Sequence, residues 1–162
     1  MKHVTRLAML SLVVMPLLGL FAVAVTVYGQ SSATGNPLMG AWRVTEIADV
    51  NGPPITNPQP GLYIFTRQHY SFVRINGTRP LPDYPSNDKA TDADKVAVFN
   101  SLYLNSGSYT VTANRLATKA TVAKSAFAIG GPGNQYEFTV TGNTLVLTQR
   151  PSGAVIKLAR ME

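Results

Sequence analysis

Two stretches of the chain alternate apolar and polar residues around a tight turn. Over Gln135 to Gln149, Gly142-Asn143 is a two-residue turn signal that sets Thr141 opposite Thr144. Counting outward puts Tyr136, Phe138, Val140, Leu145, Leu147 and Gln149 on one face, with Glu137, Thr139, Thr141, Thr144, Val146 and Thr148 on the other. That is the signature of an antiparallel pair with one buried and one wet face. Ser108 to Val122 repeats it around Ala113-Asn114. Tyr109, Val111, Leu116, Thr118, Ala120 and Val122 share a face, opposite Thr110, Thr112, Ala117, Lys119 and Thr121.

A third hairpin, Leu62 to Ile75, turns at Arg67-Gln68 and gathers Tyr63, Phe65, Tyr70 and Phe72 on one face. Leu62, Ile64, Val73 and Ile75 occupy the other, so this hairpin is apolar on both sides and its outer face calls for a cover. The run Thr91 to Leu104 has Val96, Phe99, Leu102 and Tyr103 at helical spacing and is the natural candidate. Thr91 predicts an N-cap, with Asp92 and Asp94 near the positive end of the helix dipole. The Pro-rich segment Asn76 to Asp88 reads as a loop or lid. The last hairpin turns through Pro151-Ser152-Gly153. A four-residue loop ending at Ala154 would set Gln149 opposite Ile156 and Leu147 opposite Leu158, with Arg160 on the interior face. From Trp42 onward there are eight strand-like runs and one helix-like run, and hairpins with clean inner and outer faces argue for a barrel or sandwich.

Residues 1–29 read differently. Lys2, His3 and Arg6 precede a nearly unbroken apolar run from Leu7 to Val27, and Val27 and Gly29 suit signal-peptidase cleavage. The same run is long enough for an uncleaved anchor. The expectation is an exported chain, periplasmic or extracellular, whose contact with a membrane is confined to an uncleaved leader. Residues 30–37 form a short polar tether, and 38–162 the folded domain. With no Cys in its 162 residues, the chain has neither disulfides nor thiolate metal sites. The formal charge of +6 includes Lys2 and Arg6; without them twelve Lys/Arg face eight Asp/Glu, scattered singly. No basic stripe with stacking aromatics exists, so nucleic-acid binding is not expected.

The order of Gly40-Ala41-Trp42 on a first strand, "GLYIFTRQHYSF", the run leading to "GSYTV", the late "TGNTLVLT" and an Arg near the end of the last strand resembles the bacterial lipocalin-like domain family. The resemblance spans about residues 38–161. It implies an all-β fold: an eight-stranded antiparallel up-and-down barrel, one α-helix between strands 3 and 4, and an interior able to take a small apolar or amphipathic ligand. It also implies that Trp42 and Arg160 meet on the first and last strands as a structural plug. Tyr63, Phe65, Tyr70, Phe72, Tyr109, Tyr136 and Phe138 are the candidates to line the interior, either around a ligand or as a filled core.

Chemistry has thinner support. Glu46 shares the parity of Trp42, Val44 and Ala48, and Arg74 lies beyond Phe72 on an aromatic face. The two are the only candidates for an acid/base pair, if the barrel is an enzyme of the isomerase or cyclase type that related folds can host; both standing at a wet rim is the alternative. A third alternative is an envelope interaction module that uses the helix and the Pro-rich loop as its contact surface. No cofactor is expected. His69 has no partners for a metal site or a triad. Asn76-Gly77-Thr78 reads as a turn, and Gly130-Gly131-Pro132-Gly133 as a flexible loop and not a phosphate cradle.

Overall fold

The computed structural model describes residues 35–162; the expected leader and most of the tether lie outside the described residues. Eight strands close into one antiparallel barrel in chain order: β1 (Gly40–Ala48), β2 (Gly61–Phe65), β3 (His69–Ile75), β4 (Leu102–Thr112), β5 (Arg115–Ala123), β6 (Asn134–Thr141), β7 (Thr144–Arg150) and β8 (Val155–Arg160). Helix α1 (Asp92–Ser101) lies between β3 and β4 as expected. A second, short helix, α2 (Ala126–Gly130), joins β5 to β6 and was not expected.

Because the topology is up-and-down, connections alternate between the two ends. The tight turns at Arg67-Gln68, Ala113-Asn114 and Gly142-Asn143 gather at one end together with the start of β1. The β1–β2 loop, the Pro-rich loop with α1, the α2 connection and the β7–β8 loop gather at the other, which is the open end.

Three predicted hairpins pair in the expected register: Phe65 with Tyr70, Thr112 with Arg115, and Thr141 with Thr144. The fourth slips by two residues. Leu147 faces Ile156 and Leu145 faces Leu158, with Gln149 N–H donating to the Ala154 carbonyl at 2.8 Å across a longer loop. A slip of two leaves every side chain on its own face, so Ile156 and Leu158 are still buried.

Two bulges do alter faces. On β1 the register shifts between Val44 and Glu46, leaving Thr45 unopposed, so Ile47 and not Glu46 follows Val44 inward. Between β4 and β5, Gly107 faces Ala120 but Ser106 faces Val122. Val122, expected inside, is consequently 58% exposed. Gly107 is required at this kink, since a Cβ there would stand 2.0 Å from the Lys119 carbonyl oxygen.

Helix α1 starts as expected. Thr91 accepts from the Asp94 N–H at 3.2 Å, and Asp94 Oδ2 accepts from the Thr91 N–H at 2.9 Å, completing a capping box. It does not cover the β2–β3 hairpin. Leu102 and Tyr103, expected in its apolar stripe, belong to β4 and pair with Ile75 and Arg74. The chain passes directly from Ser101 into β4, so the helix stays beyond the strand ends. Val96 and Phe99 are more than half exposed, and Leu62, Ile64 and Val73 are left about 40% exposed on the outer wall.

Candidate functional site

At the tight-turn end, Trp42 and Arg160 are register partners, and the Arg160 guanidinium carbon lies 4.0 Å from the indole centroid. Trp42 Nε1 donates to the Leu38 carbonyl at 2.7 Å. Arg160 Nη1 and Nη2 donate to the Met39 and Pro37 carbonyls at 2.7 and 2.9 Å. The end of the expected tether is thereby tied across the barrel floor, and Asn36 Nδ2 donates to the Tyr109 hydroxyl. This end is a plug.

Above it the aromatic candidates fill the axis. Tyr63, Phe65, Tyr70, Phe72, Tyr109, Tyr136 and Phe138 all face inward and none is more than 8% exposed. Phe72 is their hub: it stacks on Tyr63 at 4.0 Å, meets Tyr70 at 4.6 Å, and receives Phe65 and Tyr136 edge-on at 5.4 and 6.3 Å. Phe65 meets Tyr109 edge-on at 5.4 Å. Rings this close satisfy one another and make a core of the space a ligand would use. Burial pushes the Tyr63 and Tyr136 phenols well above the ordinary tyrosine value; the positive charge of Arg74 works in the opposite direction on both.

Toward the open end the interior turns polar. Tyr70 donates its hydroxyl to Asn105 Oδ1, with Asn105 only 4% exposed, and Thr118 is 2% exposed. Gln149 Nε2 donates to Asn134 Oδ1 at 3.2 Å. Asn105, Ala120 and Asn134, with Phe127 and the Gly131–Gly133 segment, line a partly open hollow of about 130 Å³ beside α2. Sequence reasoning missed Tyr103 and Asn105 because it placed them on or beside the helix. The alternation Tyr103, Asn105, Gly107, Tyr109 was the signal that could have found them.

The proposed acid/base pair is not assembled. The β1 bulge turns Glu46 toward the outer face, where it meets Lys157 Nζ at 2.8 Å. Arg74 faces the interior near the mouth, opposite Gly61 on β2 and Tyr103 on β4. Its Nε donates to Asn76 Oδ1 at 3.1 Å, its guanidinium carbon lies 4.8 Å from the Tyr103 ring centroid, and Nη1 is buried without a hydrogen-bond partner. His69 is an exposed residue beside the β2–β3 turn, and among the described residues no three His, Cys, Asp or Glu converge.

An apolar concavity beside these residues lies off the axis. A groove of about 530 Å³ runs along the uncovered β2–β3 wall, lined by Pro58, Pro60, Leu62, Val73, Ile75 and Leu102, and its inner border at Val44 and Gly61 reaches the inward-facing Arg74. It lies where β1 stops pairing with β2 beyond Arg43 and Leu62.

A closed eight-stranded up-and-down barrel, plugged at one end by a Trp–Arg stack, is a lipocalin-like barrel. No protein-family profile matches the chain, and no curated protein matches it. Among solved structures it is similar in shape to a lipocalin-like protein from Bacteroides uniformis, with 10% identity, a TM-score of 0.47, and 78% of this chain and 100% of that one covered. An uncharacterized protein from Bacteroides eggerthii is similar to the same degree, with 10% identity, a TM-score of 0.46, and coverage of 76% and 98%. Likenesses this distant carry no information on a ligand.

Proposed function

We propose that this protein is a non-catalytic carrier of a small amphipathic molecule, held in the groove on the β2–β3 wall. The single supporting observation is that groove: about 530 Å³, mostly apolar, with an arginine at its inner border. The volume falls in the range of small-molecule sites, and an apolar wall with a few polar groups is their usual composition. The expectation of a ligand along the axis gives way to this location because the seven candidate rings already occupy each other's contact surface.

The binding step is burial of an apolar body against Leu62, Val73 and Ile75, each already part of a folded wall, so little ordering cost falls on the protein. Titration with the neutral dye Nile red tests the reading. Saturable one-to-one binding is expected, together with its loss in Val73→Asp, a change on a partly exposed wall that leaves the core alone. Absence of saturable binding overturns the reading.

We further propose that the chain is exported, on the strength of Lys2, Arg6 and the apolar run Leu7 to Val27. N-terminal sequencing of the protein recovered outside the cytoplasm is expected to begin at Gln30. An intact Met1 in cytoplasmic material would refute it.

A further inference from the structure

Among the described residues, the guanidinium of Arg74 is the one buried side-chain group left without its hydrogen bonds complete. Its Nε is held by Asn76 and its plane lies by Tyr103, yet Nη1 is removed from water and makes no well-formed hydrogen bond, with the neutral Tyr63 phenol beside the guanidinium. An unmet buried donor on a charged group is unfavourable, and such groups are uncommon in folded proteins. No carboxylate answers it. Glu46, the partner that the sequence suggested, is engaged by Lys157, and none of the ion pairs among the described residues includes Arg74. The side chains around it are phenols: Tyr63, whose neutrality burial enforces, and Tyr103. The Tyr63 phenol oxygen can accept from the guanidinium, but a neutral phenol brings no negative charge to balance it.

We propose that Arg74 is a binding residue for an anionic head group, the carboxylate of an amphipathic acid, whose apolar part lies in the adjoining groove. The assignment rests on the groove reading above and adds the head-group chemistry to it. Arg74 lines the groove and its guanidinium is held at Nε by Asn76, so its terminal nitrogens are the donors that a carboxylate entering from the groove would engage. The Asn76 side chain is thereby committed to Arg74, at the turn where Gly77 takes a left-handed backbone with φ +81°. Asn76 sets the fork and Arg74 makes the contact.

The test compares three probes of equal chain length, decanoate, decanol and decyltrimethylammonium, by calorimetry on the purified protein. Decanoate is expected to bind about ten- to hundredfold more tightly than decanol, the range that a charge-assisted hydrogen-bonded pair supplies, and the cation most weakly. In Arg74→Gln the preference for decanoate over decanol is expected to vanish while decanol affinity stays. Arg74→Lys, which keeps the charge but loses the fork, is expected to retain part of it. Equal binding of decanoate and decanol to the unaltered protein overturns the anion assignment and leaves the groove reading standing. Binding of none of the three overturns both. The comparison on the unaltered protein decides the matter even if the Arg74 variants fail to fold.

Discussion

Arg160 and Glu46 show how differently two charged residues can weigh in one barrel. Arg160 stacks on a fully buried tryptophan and donates to two main-chain carbonyls that belong to the segment entering β1. Its replacement by alanine removes a cation–π contact and two charge-assisted hydrogen bonds together, and is expected to cost about 2–3 kcal/mol in urea denaturation. Lysine should recover little of that loss, because a point charge neither stacks nor forks. Glu46 pairs with Lys157 on the outer face, in contact with solvent, so Glu46→Ala is expected to cost about 1 kcal/mol or less in the same measurement, and that small cost to fall further in high salt. A larger loss for Glu46 than for Arg160 would refute this ranking. Parity counting from Trp42 placed Glu46 on the inward face, with a wet rim as the alternative. The count was sound for a regular strand; the bulge at Thr45 is a backbone event with no residue type to announce it. At Gly107 a glycine did mark the irregularity, and Val122 fell on the wrong face because the mark was not read as a bulge.

Among elements, the helix is the one whose existence was legible and whose role was not. Thr91, Asp92 and Asp94 announced its start, and the capping box is formed. Its end was hidden because Leu102 and Tyr103 satisfy a helical stripe and a strand alternation equally, and only pairing with β3 decides between them. With those two residues in the sheet, α1 buries none of its side chains and depends on its cap more than a packed helix would. Thr91→Ala is therefore expected to accelerate amide exchange across α1 about twofold to thirtyfold, from loss of a cap contribution of about 0.5–2 kcal/mol, while leaving the global unfolding midpoint nearly unchanged. The Thr91 hydroxyl and N–H hold the Asp94 carboxyl below its ordinary value. A depressed carboxylate contributes above its unfolded value and is lost as pH falls through its folded one. Acidification should accordingly loosen α1, and the effect should be absent in Asp94→Asn. Unchanged exchange in both comparisons would mean that something other than the cap holds the helix.

At the scale of the whole molecule, the barrel was legible because face assignment survives errors that register does not. The β7–β8 hairpin pairs two residues away from the expected register, yet Leu147, Ile156 and Leu158 remain inside, since the side-chain period is two. Whether the barrel was hollow could not be read this way: Tyr63, Phe72 and Tyr136 would face inward in either case, and only three-dimensional distances bring their rings together. That filling has a consequence for the stability of the whole fold. Burial raises the Tyr63 and Tyr136 phenols far above the ordinary value of 10.0, so the folded barrel keeps both protons where the unfolded chain releases them. The unfolded state then binds fewer protons than the folded one, and stability must fall as pH rises beyond about 10. Each phenol contributes a slope of about 1.4 kcal/mol per pH unit in that range, and the two together roughly double it. Tyr70 and Tyr109, raised in the same direction by burial, steepen the loss further. Urea midpoints measured between pH 9 and pH 12 are expected to decline with that slope, and absorbance at 295 nm to show Tyr63 and Tyr136 ionising only as the barrel unfolds. In Tyr136→Phe the slope should drop by the share of one phenol. A flat profile, or reversible ionisation of both residues in the folded protein, would mean that water reaches the axis and that the core is open where the rings now close it.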